Sequence, residues 1–185
     1  MLSIIIPVLD QSALLEDSLL ALQPLRARGH ELLVVDGGSR DSSTTIARKH
    51  ADRVILSGAG RALQLNAGSD SATHDILLFL PVTTRLPNEA DQLILQAIEH
   101  GTAIWGFFDV QFMDASWQER LRVALSNMAD KALLEQAIFV HRHAFERIKG
   151  FDNLPDREDI ALCLKLRTMQ PPVQLTAKVS VNRSI

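Results

Sequence analysis

The sequence predicts a single α/β domain with a mainly parallel sheet flanked by helices, and two observations support this prediction. Short apolar runs without the alternation of a half-exposed strand recur at residues 3–6, 32–35 and 76–80. Such runs are typical of strands that helices cover on both faces. The segments between them carry apolar residues at helical spacing, as in βα units. The 185 residues fit one domain, 1–185, that can bury a continuous core.

Strand and helix signals alternate along the chain. The β-branched run 3–6 predicts the first strand, which Pro7 ends because proline cannot donate to a ladder. Ser12 is expected to cap a helix that runs towards Gly29. Further strands are predicted at 32–35, 53–56, 75–80, 103–112, 135–140 and 173–181. Further helices are predicted at 41–50, from 60, at 88–101, 116–134 and 143–149, and from 158.

The composition excludes several classes of function. Hydrophobic residues make up 46% of the chain and charged residues 22%, which is typical of a folded domain. The net charge of -3 provides no basic field, so no nucleic-acid partner is expected. Cys163 is the only cysteine, which excludes an intrachain disulfide framework and favours a reducing, cytoplasmic location. No run of about 18 apolar residues is present, so no transmembrane span is predicted.

The stretch 31–43 joins a buried strand to an acid and a glycine turn. Ligands of open α/β sheets collect at the carboxyl ends of such strands, which makes Asp36 a candidate acceptor for a ribose hydroxyl or a base N–H. The alternative is a turn acid that hydrogen-bonds its own backbone. Asp41 or Ser42 is expected to cap the helix that follows.

Arg61 begins a predicted helix beside backbone N–H groups that have no partner within the helix. A diphosphate could bind there to the arginine and to the positive end of the helix dipole. The alternative is a solvated arginine on an amphipathic helix.

The predicted strand 103–112 carries Trp105, Phe107 and Asp109 on one face. This face could form the floor of an acceptor pocket. Equally, it could be a packed face with one acid at its rim. The sequence does not separate these two alternatives.

The segment 116–134 has an amphipathic pattern in which Trp117 lies near arginine residues. Its apolar stripe is typical of a helix that packs on a core. A tryptophan flanked by arginines is also typical of an interfacial helix, so peripheral membrane contact is the alternative. His141 and His143 lie close together without a third ligand candidate and are interpreted as surface residues rather than metal ligands.

Two adjacent carboxylates, Glu158 and Asp159, enter the last predicted helix. Acids in a first turn are favoured by the helix dipole, and Asp156 with Asp159 resembles a capping pair. The functional alternative makes Asp159 a general base that removes a proton from an acceptor hydroxyl, while Glu158 orients a neighbouring group.

Taken together, these blocks resemble the family 2 glycosyltransferases, which have the GT-A nucleotide-sugar-binding fold. The resemblance covers nearly all of the chain and is strongest at 3–10, 34–41, 60–68, 136–140 and 158–162. Among family members, the chain is similar to small bacterial transferase 2 proteins associated with radical-SAM and selenium domains. A Rossmann dehydrogenase is disfavoured because no Gly-x-Gly-x-x-Gly follows the first strand.

The resemblance implies an inverting transfer of a sugar from a nucleotide-diphosphate sugar, with a UDP-sugar favoured, to an unknown acceptor. It implies that Asp159 is the catalytic base, with Glu158 beside it. The nucleotide-binding residues it implies are Pro7, Val8, Asp10, Asp36, Gly38, Ser39, Arg61, Asn66 and Thr83. The acceptor-binding candidates are Trp105, Asp109, Glu135 and Gln136.

Thr83 departs from the family pattern, because the family usually has a metal-binding acid in this turn. A threonine hydroxyl is a weak ligand for Mg²⁺ or Mn²⁺, so feeble binding of either cofactor is expected and no metal ligand is predicted. Glu135 replaces the family's usual aspartate, and Phe107 replaces its usual arginine. These substitutions favour, as an alternative, a catalytically impaired GT-A-like domain that binds a nucleotide or a protein partner.

Overall fold

The structure is a computed structural model that describes residues 1–99, 101–112, 134–154 and 157–181. These residues form one sheet and six α-helices. The strands are β1 (Leu2–Val8), β2 (Glu31–Asp36), β3 (Arg53–Leu56), β4 (Ile76–Phe79), β5 (Thr84–Arg85), β6 (Trp105–Phe112), β7 (Ile138–His141) and β8 (Val173–Val181). The helices are α1 (Ser12–Ala27), α2 (Ser43–His50), α3 (Arg61–Ser71), α4 (Ala90–Glu99), α5 (Arg142–Arg147) and α6 (Glu158–Arg167). In these ranges no helix is long and apolar enough to cross a membrane.

The strands are ordered β3-β2-β1-β4-β7-β6-β8-β5 across the sheet. Strand β1 pairs in parallel with β2 and β4, β2 with β3, and β6 with β8. Strand β7 runs antiparallel to both of its neighbours, and β5 runs antiparallel to β8. The prediction of a single, mostly parallel α/β domain is confirmed. The carboxyl ends of β1, β2 and β4 share one edge, which positions the site.

Both faces of the sheet are buried, which explains the apolar runs without alternation. Along β1, Ile4 and Ile6 pack in a cluster that includes residues of α1 and α4, and Ile5 packs in the opposite cluster with residues of α3, α5 and α6. All three isoleucines are fully buried. A strand sandwiched in this way has no solvent face on which polar residues would alternate.

Strand β1 extends beyond its predicted end, because Pro7 lies within it and pairs with Val35. Ile5 accepts a hydrogen bond from the backbone N–H of Leu80 on the β4 side. The backbone N and C=O of Pro7, two residues later, point to that same side. Strand β4 ends at Phe79 and does not reach Pro7, so the missing N–H of the proline breaks no hydrogen bond of the sheet.

Several predicted boundaries are wrong. Residues 135–140 were expected to form a strand, but Leu134–Gln136 form a 3₁₀ turn and the strand is Ile138–His141. Ala137 between them has a φ of 53°, which interrupts an extended chain. Ser12 is the first residue of α1 rather than its cap. The predicted helix 116–134 falls, except for its last residue, outside the described residues, as does Asp156.

Candidate functional site

A cleft of about 440 Å³ opens where β1 and β4 end, beside the start of α3. The structure brings five of the predicted site residues together in its lining, namely Pro7, Val8, Arg61, Thr83 and Glu135. Pro7 and Val8 come from β1, Thr83 from the segment after β4, and Glu135 from the 3₁₀ turn before β7. Because these elements are neighbours in the sheet, their ends converge although they are distant in sequence.

Two loops beside the cleft are joined by hydrogen bonds that involve Asp10. Its backbone N–H donates to Ser39 Oγ at 3.0 Å, and its Oδ1 accepts from the backbone N–H of Arg40 at 2.6 Å. Asp41 Oδ2 accepts from the backbone N–H of Ser12 at 2.8 Å, which satisfies a free N–H at the start of α1. Asp10 has a φ of 51°, in the left-handed region. The loops after β1 and β2 therefore hold each other in place.

Asp36 is buried, and both of its oxygens are engaged by neighbouring groups. Oδ1 accepts from the N–H and the hydroxyl of Ser39 at 2.9 and 2.6 Å, and Oδ2 accepts from Thr44 Oγ1 at 2.6 Å. Burial alone would raise the pKa of Asp36, but these hydrogen bonds outweigh it and lower the pKa below its ordinary value. Gly38 in the same turn has a φ of 99°, which favours glycine. This geometry favours the turn-acid alternative, and the contact with ribose or base stays a prediction.

Gln64 is a positioning residue for which sequence reasoning gave no role. Its side-chain amide donates to the carbonyl oxygens of Val8 at 2.8 Å and Val35 at 2.9 Å, and the residue is 4% exposed. One turn later, a Cβ on Gly68 would lie 2.4 Å from Ile5 Cγ2. The one-turn spacing of Gln64 and Gly68 was the available signal, because it marks the face of α3 that meets the sheet.

Arg61 forms an ion pair with Glu158, which joins the start of α3 to the start of α6. Its Nε donates to Glu158 Oε1, and the Glu158 side chain is 3% exposed whereas that of Arg61 is 37% exposed. Burial lowers the pKa of Arg61, but the hydrogen bond and charge of Glu158 and the charges of Asp159 and Glu135 outweigh it and raise the pKa. Arg61 is therefore paired with an acid, and the alternative of a solvated arginine on an amphipathic helix is not favoured.

Asp159 lies in the first turn of α6 and is 5% exposed. Its Oδ1 accepts from the backbone N–H of Ile160 at 2.7 Å. Its negative charge acts on Arg61, as does that of Glu135. The candidate base therefore lies within electrostatic reach of an arginine that lines the cleft.

Two of the four candidate acceptor residues are buried in the fold. Trp105 is fully buried and its Nε1 donates to the carbonyl oxygen of Gln170 at 2.8 Å, and Phe107 is 1% exposed. Gln136 is 1% exposed and its Nε2 donates to Phe108 O at 3.4 Å. The structure therefore favours the packed-face alternative for β6 and does not support Trp105 or Gln136 as acceptor contacts.

Asp109 and Glu135, the other acceptor candidates, are only partly buried. Asp109 Oδ1 accepts from the backbone N–H of Val110 at 3.0 Å, beside an irregularity in the pairing of β6 with β8. Glu135 lines the cleft. Of the four candidates, Glu135 has the geometry that best suits a ligand contact.

Asn66 lies further along α3 than the cleft-lining residues and holds a distant loop. Its Nδ2 donates to Phe151 O at 2.9 Å, and its Oδ1 accepts from the backbone N–H of Phe151 at 3.0 Å. The prediction that Asn66 borders the nucleotide is not supported by this arrangement, because both polar atoms of its amide bind the backbone.

The described part of the cleft provides few ligands for a Mg²⁺ or Mn²⁺ ion. Among the described residues, no group of three histidine, cysteine, aspartate or glutamate side chains could hold a metal. The cleft lining provides the hydroxyl of Thr83 and the single carboxylate of Glu135. Hard divalent cations prefer several carboxylate or phosphate oxygens.

A fold of this strand order, with a cleft at the carboxyl ends of parallel strands, is typical of nucleotide-binding α/β proteins. The chain matches the family model described as glycosyl transferase family 2 over residues 3–154. The protein therefore belongs to glycosyl transferase family 2, which confirms the resemblance to that family. Its similarity to the small bacterial transferase 2 proteins associated with radical-SAM and selenium domains stays a prediction. A comparison with curated proteins finds no match.

Solved structures share the fold at low sequence identity. A mannosyltransferase from Pyrobaculum calidifontis in complex with GDP-Man and Mn²⁺ matches with a TM-score of 0.74 and 19% identity, over 97% of this chain and 56% of that chain. Glucosyl-3-phosphoglycerate synthase from Mycobacterium tuberculosis in complex with Mn²⁺ and UDP-Glc matches with a TM-score of 0.77 and 17% identity, over 100% of this chain and 72% of that chain. The protein thus spans little more than half of the mannosyltransferase chain. These likenesses confirm the GT-A fold.

Proposed function

We propose that the protein transfers a sugar from a nucleotide-diphosphate sugar, with a UDP-sugar favoured, to an unidentified acceptor with inversion of the anomeric carbon. Membership of glycosyl transferase family 2 and the position of the cleft support this proposal. The observation that carries it is the position of Arg61, which lines the cleft and binds Glu158, the neighbour of Asp159. One arginine thus connects the nucleotide cleft to the candidate base.

The diphosphate is assigned to Arg61 and the start of α3. A guanidinium has five N–H donors, and Glu158 accepts from Nε, so the terminal nitrogens remain for phosphate oxygens. The N–H groups of the first turn of α3 and the helix dipole favour an anion at the same place. Pro7 and Val8 are assigned to the nucleotide base, beside the Asp10 and Ser39 loops.

The transfer itself is assigned to Asp159. Its carboxylate accepts the proton of an acceptor hydroxyl while the hydroxyl oxygen attacks the anomeric carbon. The bond between that carbon and the diphosphate breaks, and the nucleoside diphosphate leaves with the bonding electrons. A single displacement of this kind inverts the anomeric carbon. Glu158 holds Arg61 beside the leaving group, which is a positioning role.

The proposed transfer does not depend on the metal found in the solved structures. Both of those structures contain Mn²⁺, whereas the described cleft provides a threonine hydroxyl and one carboxylate. The charge of the leaving group is therefore assigned to Arg61 and to the α3 terminus.

A second candidate is a GT-A domain that binds a nucleotide or a protein partner without turnover. Phe107, where the family usually has an arginine, is 1% exposed and part of the core, so it provides no charge to a ligand. Thr83 replaces the usual acid in the cleft. Both observations favour impaired catalysis.

Binding and turnover measured in parallel test both candidates. The intact chain is titrated with a panel of nucleotide sugars that includes UDP-Glc and GDP-Man, with and without Mn²⁺, and release of the nucleoside diphosphate is followed in the presence of hydroxyl-bearing acceptors. Binding with release supports transfer. Binding of a nucleotide sugar without release under any condition supports the second candidate. If no nucleotide sugar binds, the assignment of the cleft to nucleotide binding is wrong in both candidates.

A further inference from the structure

Asn66 of α3 holds the backbone of Phe151 at two points. Its Nδ2 donates to Phe151 O at 2.9 Å, and its Oδ1 accepts from the backbone N–H of Phe151 at 3.0 Å. A Cβ on Gly150 would lie 2.6 Å from Asn66 Oδ1, and Gly150 has a φ of 65°, so the residue before Phe151 has to be glycine. The amide and the loop 150–154 therefore fit each other closely.

The ring of Phe151 is anchored separately from its backbone. It packs edge-on against Phe79, with ring centroids 4.9 Å apart, and against Phe145 at 5.6 Å. Apolar packing is not directional, so it keeps the residue in the core without fixing the plane of its peptide groups. Hydrogen bonds are directional, and the two bonds to Asn66 therefore fix the direction in which the chain leaves Phe151.

Backbone hydrogen bonds extend this order from the loop to α6. The N–H of Leu154 donates to Asp152 O at 2.8 Å, and the N–H of Arg157 donates to Leu154 O at 3.0 Å. Arg157 is the residue at the N-cap of α6, and Asp159 lies in the first turn that follows. The orientation of the Phe151 backbone is thus linked to the position of the candidate base.

The contacts of α3 hold the connection between the loop and α6 at both of its ends. Asn66 binds the loop, and Arg61 at the start of α3 binds Glu158, the first residue of α6. From the other side, Lys165 of α6 donates its Nζ to Gly150 O at 3.1 Å. Without Asn66, the start of α6 would keep only the anchor at Arg61 on the α3 side.

We propose that Asn66 is a positioning residue for sugar transfer, which sets the place of the Asp159 carboxylate by fixing the backbone of Phe151. This inference rests on the proposed function, in which Asp159 accepts the proton of the acceptor. Asn66 thereby acts through the protein rather than on the nucleotide, because both polar atoms of its amide bind Phe151. A misplacement of about 1 Å at the reacting groups costs about 100-fold in rate, so such a remote contact matters.

Kinetics and calorimetry with UDP test the proposal. Asn66→Ala should lower kcat by about 10–100-fold, while the Kd for UDP should change by less than about twofold. Gln23→Ala is the matched control, because the Gln23 amide also donates to two backbone oxygens, those of Leu19 and His50, and none of these residues lines the cleft. It should leave kcat unchanged. Weaker binding of UDP by Asn66→Ala, or an unchanged kcat, would overturn the proposal.

A double-mutant cycle separates positioning of the base from a general structural role. In a protein that already carries Asp159→Asn, Asn66→Ala should lower kcat by less than about twofold, because the group that it positions no longer accepts a proton. The full effect of Asn66→Ala in this background would contradict the proposal. Asn66→Gln, which keeps the amide on a longer arm, takes its place in the same cycle if Asn66→Ala does not fold.

Hydrogen exchange tests the same contact without turnover. If the wild-type protein transfers no sugar, the proposed function fails, and the linkage between Asn66 and Asp159 is still measured. Asn66→Ala should speed exchange of the amides in both the loop 150–154 and the first turn of α6, and Gln23→Ala should not. Faster exchange confined to the loop would show that the contact does not reach Asp159 and would overturn the inference.

Discussion

Arg61 donates its Nε hydrogen to Oε1 of Glu158, a residue 97 positions later in the chain. The contact places a partly exposed cation of the cleft against a buried acid at the start of α6. Asp159, the candidate base, directly follows Glu158, so its position depends on Arg61, the residue that is assigned to the diphosphate. Donor binding and proton abstraction are therefore expected to respond together to changes at Arg61.

Arg61→Ala should lower the free energy of unfolding by about 1–3 kcal/mol, since it leaves Glu158 buried without its cation. The expected loss is smaller than for a fully buried pair because Arg61 is 37% exposed. Urea denaturation measures it. Arg26→Ala is the matched control, because Arg26 and Asp52 form a pair that is 38% and 31% exposed and its loss should cost less than about 1 kcal/mol. Equal losses in the two variants would contradict this account of the pair.

Stability should fall as the pH drops below about 6.5, because His30 is held neutral. The backbone N–H of Leu2 donates to His30 Nδ1 at 3.0 Å, so the ring carries its proton on Nε2, 3.0 Å from Asp91 Oδ2. Burial lowers the pKa of His30, and the hydrogen bond to Asp91 opposes this only in part. The unfolded chain therefore binds a proton at a higher pH than the folded chain.

Urea denaturation between pH 7.5 and 5.5 should show this loss, with a slope of up to about 1.4 kcal/mol per pH unit for one proton. His30→Gln should flatten the slope, and His143→Gln, at an exposed position, should not. If His30→Gln keeps the wild-type slope, another group is responsible.

Asp159→Asn should reduce the rate of sugar transfer by about 10²–10⁴-fold, because an amide cannot accept the proton of the acceptor. UDP binding and melting temperature should change little, since the amide keeps the size of the side chain and much of its capping capacity. Asp152→Asn is the control, because Asp152 is an acid that pairs with Lys165 and whose side chain is 45% exposed. A wild-type rate in Asp159→Asn would exclude this residue as the base.

Thr83→Asp should strengthen Mn²⁺-dependent binding of UDP, because it adds a carboxylate beside Glu135 in the cleft. Thr83→Asn introduces a side chain of the same size without the charge and should not have this effect. Calorimetry with and without Mn²⁺ separates the two variants. Tight Mn²⁺ binding by the unchanged protein would show that other acids already form a metal site.

Gly68→Ala should destabilise the protein by about 1–3 kcal/mol, because the new Cβ would force α3 away from β1 and β2. It would lie 2.4 Å from Ile5 Cγ2 and 2.9 Å from Val35 Cγ2. Gly58→Ala is the control, since its Cβ would meet no atom nearer than Leu63 Cδ1 at 3.8 Å. Thermal unfolding of both variants measures the difference, and similar melting temperatures would show that α3 can shift at little cost.

The fold and the elements of the cleft could be predicted because their signals are local. The bounds of β3 and β8 follow from apolar and alternating runs, and Pro7 and Thr83 follow strand signals that place them at one edge of the sheet. Helix-start signals made Arg61 and Asp159 candidates, and the family pattern then implied their roles. In each case, the information lies within a few residues of the position concerned.

The contacts within the site could not be predicted, because they depend on residues far apart in sequence. Glutamine on a helix is usually a surface residue, and only the sheet edge beneath α3 gives Gln64 its two carbonyl partners. The residues on the Trp105 side of β6 alternate with those on the other side, and this pattern is the same whether the Trp105 side faces a ligand or a helix. Its burial in a cluster with residues of α6 depends on how that helix packs.

The span between Arg61 and Glu158 has a consequence for how the protein is made. At about 5–20 residues per second, a ribosome needs roughly 5–20 s to add the 97 positions between them. The strands of the amino-terminal half emerge first, and α3, which packs on Ile5 and Val35, is synthesised soon after β1 and β2. Phe79 of β4 packs instead on Phe145 of α5 and on Phe151. The apolar surface around Phe79 therefore stays uncovered on the nascent chain until this later segment is synthesised, which makes it the surface that a ribosome-associated chaperone would bind.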